Sequence, residues 1–150
     1  MSLANLVGIS LEKFTPDVVV IGRLLSAAKR NIADAHVGEI SAGNRFDAAY
    51  KAIMQLANAA LQANGFRTLT SKPGHHMTMI QTLSQTVGVD RQTVIVLDAL
   101  RKQRNVADYS GDIVPASAVE ECVSHAEALL NSVVGWLKAN NPELLGNEKE

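Results

Sequence analysis

The chain has 150 residues, 47% of them hydrophobic but only 4% aromatic, with a formal charge of -1 and a pI near 6.4. That length suits one domain, and a core of Ala, Val, Leu and Ile is the diet of an all-α protein more than of a sandwich. The near-neutral charge argues against broad attraction to nucleic acid, so any basic site must be local. A lone cysteine, Cys122, excludes an internal disulfide, and no stretch reaches the roughly 20 apolar residues that span a bilayer, so the expectation is a cytoplasmic protein without membrane contact.

Residues 1–14 lack a basic leader and read as an N-terminal extension. Thr15, Pro16 and Asp17 then supply a capping hydroxyl, a proline suited to the first helical position and an acid near the positive end of the dipole. Val18, Ile21, Leu25, Ala28, Ile32 and Ala35 recur at spacings of three and four, predicting a helix to around Val37 with Arg23, Lys29, Arg30 and Asp34 on its other faces. Gly38 is its stop, and residues 39–44 make a polar link. A second stripe, Phe46, Ala49, Ile53, Leu56 or Ala57, and Ala60, ends at Asn64 and Gly65.

After a Thr, Ser, Lys and Pro link, Met77, Ile80, Leu83 and Val87 predict one short helix ending at Gly88. Asp90 is placed to cap the next segment. Its β-branched run 93–97 has strand propensity, but one isolated strand has no partner, and Leu97, Leu100, Arg101 and Arg104 keep helical spacing. Ser117 with Glu120 forms a capping box for a last helix with the stripe Val119, Val123, Ala126, Leu130, Val133 and Leu137, and Trp136 at its flank. The expected architecture is an antiparallel four-helix bundle over residues 15–141 with one additional short helix, followed by a polar, frayed tail at 142–150.

Little in this pattern supports familiar catalytic chemistry. His75 and His76 are adjacent and so diverge on a helix, and no His, Cys or carboxylate spacing matches a metal site, so no metal and no cofactor are expected. Cys122 follows Glu120 and Glu121, whose charges oppose thiolate formation, and it reads as a core residue. The ten glycines form no phosphate-binding loop. The densest cluster is LRKQRNVADYSG, residues 100–111, where Arg101, Arg104, Asn105 and Asp108 share a helix face and Tyr109 follows. Cations at a helix C-terminus complement its dipole, yet an arginine fork beside an amide and a phenol also suits a phosphate with its base or ribose.

RFDAAYKAIMQLANAALQANGF (45–66), KPGHHMTMIQTL (72–83) and RNVADYSGD (104–112) together resemble the higher eukaryote and prokaryote nucleotide-binding (HEPN) family over roughly residues 17–139. The resemblance implies an antiparallel four-helix bundle that dimerises, with ligand contacts among Arg45, Tyr50, His75, Arg101, Arg104, Asn105, Asp108 and Tyr109. Family ribonucleases carry an arginine, a polar residue and then a histidine; here Arg104 and Asn105 match, but Tyr109 stands in the histidine position. A phenol with an ordinary pKa of about 10 exchanges protons poorly at neutral pH. The chain resembles instead the branch with an ADY ending, encoded beside a small nucleotidyltransferase and read as part of a toxin-antitoxin-type system.

Three functions follow as expectations. The first is a homodimeric module that binds a nucleotide, RNA or a nucleotidyltransferase partner without cleaving RNA. The second is a metal-independent RNA endonuclease in which Arg104 faces the phosphate and His75, His76 or Tyr109 is the base. The third is a dimerising bundle whose arginines are structural.

Overall fold

The computed structural model describes residues 2–71, 73–111 and 113–146, without the side chains of Asp108 and Tyr109. It is predominantly helical: α1 (Val18–Ala35), α2 (Ala42–Ala63), α3 (His75–Gln81), α4 (Leu83–Thr86), α5 (Arg91–Ser110) and α6 (Ala116–Asn140). Two strands, β1 (Leu11–Lys13) and β2 (Phe66–Thr68), pair antiparallel with Leu11 opposite Thr68. No described helix is long and apolar enough to cross a membrane.

The alanine-rich middle of the chain is the central helix. α2 buries Phe46, Ile53, Leu56 and Leu61 together with Ala49, Ala52, Ala57, Ala59 and Ala60, so neighbours reach it from several sides. Small side chains at a contact allow close helix approach, and α1 and α6 pack most extensively against it. α1 turns Ile21, Leu25, Ala28, Ile32 and Ala35 inward as their spacing predicts, whereas Val18, expected to begin the stripe, is exposed at the start of the helix. Arg45 Nε donates to the Ala35 carbonyl at 2.8 Å and Asn31 Nδ2 to Gln55 Oε1 at 2.8 Å, so α1 and α2 run antiparallel. α5 packs on α2, α3 and α4, with Leu97 and Leu100 buried. The β-branched run 93–97 lies inside it with Leu97 buried, Val94 and Val96 partly buried against the core and Ile95 exposed, so the helical context outweighs a weak local preference.

Several element ends differ from the sequence expectations. α1 is capped by Asp17, whose carboxylate accepts from Val19 N at 2.8 Å and Val20 N at 3.4 Å; Thr15 lies outside the helix. The helix stops at Ala35, before Gly38. Ser117 is no cap: α6 starts at Ala116, with Pro115 as the flanking residue and its carbonyl accepting from Ala118 N. The short helix is two, because the chain breaks at Thr82, whose hydroxyl donates to the carbonyls of Thr78 and Met79.

Both chain ends expected outside the bundle contribute to its core. Leu11 is fully buried, and Glu12 pairs with Arg67 at 2.7 Å across the strands. Pro142–Leu145 form a 3-10 turn with Leu144 and Leu145 buried, so this part of the tail is packed, because its leucines cover apolar surface beside α1 and α6. Residues 147–150 lie outside the described residues.

Candidate functional site

Past its first turn, α2 carries one polar stripe apart from Tyr50: Asp47, Lys51, Gln55, Asn58 and Gln62, at spacings of four, four, three and four. The first four line a cleft of about 330 Å³ together with Tyr50, Met54, His76, Met79 and Arg104. Three elements meet there: α2 supplies the floor, α3 brings His76 and Met79, and α5 brings Arg104. Gly74 makes the turn into α3 with φ 79°, a left-handed conformation that costs glycine little.

Tyr50 Oη lies 3.3 Å from His76 Nδ1, a hydrogen bond whose donor is set by the imidazole tautomer. The His75 ring meets His76 edge-on at 4.9 Å between centroids. Arg104 places Cζ 5.3 Å from the Tyr50 ring centre and Nε 3.8 Å from Asp47 Oδ1. Burial pushes the Tyr50 phenol up to about 12 against the opposing fields of Arg104 and Arg101. Burial also lowers His76 below its ordinary 6.5, and His75, Arg104 and Arg101 act in the same direction. At neutral pH the cleft therefore holds a neutral imidazole, an intact phenol and the cations Arg104 and Lys51 beside the thioethers of Met54 and Met79. That set suits a flat, partly apolar ligand bearing an anionic group, and the volume lies within the range of about 300 to 1,000 Å³ usual for small-molecule clefts.

Of the residues singled out from sequence, Arg104 and Tyr50 line this cleft and His75 touches it through His76. Arg101 is held by Asp98 at 2.8 Å, and Lys102 reaches the same carboxylate at 3.5 Å. Asn105 is half-buried on α5 and does not line the cleft. Arg45 is not part of the site: besides its bond to Ala35, it lines a separate hollow with His36, Glu120 and Glu127. The side chains of Asp108 and Tyr109 lie outside the described residues.

Sequence reasoning missed Asp47, Lys51, Gln55 and Asn58, although their spacing on an otherwise apolar helix carried the signal. Cys122 is buried, with Sγ 3.9 Å from the Phe46 carbonyl, and burial together with Glu121 and Asp47 pushes its thiol up to about 12. Among the described residues no three His, Cys, Asp or Glu side chains converge as a metal site would require. No family model, curated protein or solved structure matches this chain, so its function is read from these residues.

Proposed function

We propose that this chain is a nucleotide- or RNA-binding helical module of the HEPN kind. In this reading α1, α2, α5 and α6 form the antiparallel four-helix bundle, α3 and α4 cover one side, and the cleft takes a nucleotide unit. The carrying observation is the convergence of Arg104, Tyr50 and His76, from three separate sequence segments, on one cleft. Arg104 and Lys51 offer charge to a phosphate, and the Met54 and Met79 side chains offer apolar surface to a base. Homodimerisation and a small nucleotidyltransferase partner belong to the same proposal.

A panel of nucleoside mono- and triphosphates tests it by thermal shift, since a ligand that binds only the native state raises its melting temperature. The expected result is a concentration-dependent rise for at least one nucleotide that Tyr50→Ala reduces. A flat panel, with no retention of RNA, removes the reading.

One observation favours RNA cleavage as a second reading: His76 shares the cleft with Arg104 and is neutral at pH 7, the state a general base needs. Here His76 would take the 2′-hydroxyl proton while Arg104 neutralises the phosphate. Labelled RNA incubated without metal decides it: His76→Ala and Arg104→Ala must each abolish cleavage, and equal trace cleavage by all three proteins ends the idea.

A further inference from the structure

We propose that the Arg104 cleft is one end of a longer track for a single-stranded polynucleotide, which crosses α2 at Lys51 and runs along α1 past Arg30 to Arg23. This deepens the nucleotide-binding reading and rests on it. Three hollows adjoin through shared walls. Lys51 and Gln55 line both the Arg104 cleft and a hollow of about 380 Å³ that also includes Arg30, Asn31 and Asp34. Arg30 in turn lines a third hollow, about 540 Å³, with Arg23, Ser26, Val18, Val19 and Leu145.

The charge along this path differs from that of the whole chain. Among the described residues Arg104, Lys51, Arg30 and Arg23 face two carboxylates along it, Asp47 and Asp34, a local balance of four minus two, against -1 for the protein. Arg23, Arg30 and Lys51 are exposed, and among the described residues none of them forms an ion pair. The one acid of α1, Asp34, stands four residues after Arg30 in the same hollow, and no ion pair joins the two among the described residues.

The spacing fits a chain longer than a mononucleotide. Arg23 and Arg30 are seven residues apart, about 10 Å along a helix, and each step to a neighbouring helix adds about 8 to 10 Å, so the path is on the order of 30 Å. Apolar side chains flank the cations at both ends: the largely buried Met54 and Met79 in the wall of the cleft beside Arg104, and the half-exposed Val18 and Val19 beside Arg23. Single-strand grooves that bind without reading sequence combine a cationic path along the backbone with surfaces on which bases rest, best when aromatic, over sites of about 4 to 16 nucleotides; the cationic path is the part of that pattern this face supplies.

The test is fluorescence anisotropy across a salt series with a labelled oligouridylate of about twelve nucleotides, its oligothymidylate counterpart, and a mononucleotide in parallel thermal shift. Single strands lose affinity with a log-log salt slope of about -0.7 per phosphate contact, so four contacts predict about -2.8 for the wild type. Arg23→Gln and Arg30→Gln should each make that slope shallower by about 0.7. Lys138→Gln, an equal charge change near the end of α6, should leave it unchanged. The two oligonucleotides separate RNA from DNA as the natural occupant. If Arg23→Gln and Arg30→Gln behave as Lys138→Gln does, or if neither oligonucleotide binds, the track is overturned. The mononucleotide shift then judges the cleft alone, so the two readings fail separately.

Discussion

Replacing Arg104 with alanine separates a guanidinium that holds ligand from one that holds the fold. Its contact with Asp47 spans 3.8 Å between side chains that are 33% and 45% exposed. A pair so open to water is worth about 0.2 to 1 kcal/mol. The cation over the Tyr50 ring at 5.3 Å adds about 0.5 to 1 kcal/mol. Together these two contacts are worth about 0.7 to 2 kcal/mol, and at about 2 to 4 °C per kcal/mol for a chain of this size their loss should lower the melting temperature by about 1 to 8 °C. Loss of a charge-assisted bond to a ligand phosphate costs more, about 1.5 to 3 kcal/mol, which is roughly 10- to 150-fold in affinity. Melting curves and nucleotide titrations on the same preparation measure both quantities. Arg104→Lys, which keeps the charge and loses the fork, should fall between. A variant that melts lower yet binds every nucleotide within about twofold of wild type would refute the reasoning and leave Arg104 a structural residue.

Three further outcomes follow from burial and charge. Leu11→Ala should lower stability by about 2.7 to 5 kcal/mol, because Leu11 is fully buried, whereas Glu12→Ala should cost at most about 1 kcal/mol; equal melting temperatures for the two would place β1 outside the core. Cys122, with its thiol raised to about 12, should resist an aromatic disulfide reagent at mild alkaline pH until the protein is denatured, and rapid native labelling would contradict its placement. His76 has a folded pKa below 6.5, so between that value and 6.5 the unfolded chain binds more protons and stability falls as pH drops through this window. Urea midpoints on either side of pH 6.5 should therefore differ more for wild type than for His76→Gln, and parallel profiles would sink the assignment.

The long helices were legible because their signal repeats over many turns. The α1 stripe from Ile21 to Ala35 could be read without knowing what it packs against. β1 and β2 were not, since three residues carry no period and Leu11 meets Thr68 across more than fifty intervening positions. Leu144 and Leu145 were hidden by their polar neighbours. At the site, sequence singled out Arg104 and Tyr50, but the importance of Lys51 and Asn58 depends on knowing that α2 is buried around most of its circumference. Which of two adjacent histidines meets Tyr50 is decided by the turn at Gly74, a tertiary fact. Arg45 shows the opposite error: from the first turn of α2 an arginine can reach across to a carbonyl at the end of α1, and this one does.

The Tyr50 and His76 pair also weighs binding against cleavage. Tyr50 is 3% exposed, and its hydroxyl makes no hydrogen bond to a described residue other than the one to His76 Nδ1. In the tautomer that leaves Nδ1 bare, the phenol donates and Nδ1 accepts, which satisfies a hydroxyl proton that is costly to leave unpaired. A neutral imidazole has one N–H, which then sits on Nε2. That nitrogen is a donor, suited to a phosphate or a base carbonyl and unable to take a proton from a 2′-hydroxyl. Cleavage requires the other tautomer, with Nδ1–H directed at the phenol oxygen and the phenol proton turned toward the cleft. A protonated imidazole would serve as the acid for a leaving oxygen, but burial and three neighbouring basic groups, His75, Arg104 and Arg101, oppose that state. In the first tautomer the cleft presents three donors, Arg104, Lys51 and His76 Nε2, and that arrangement supports the binding reading over cleavage.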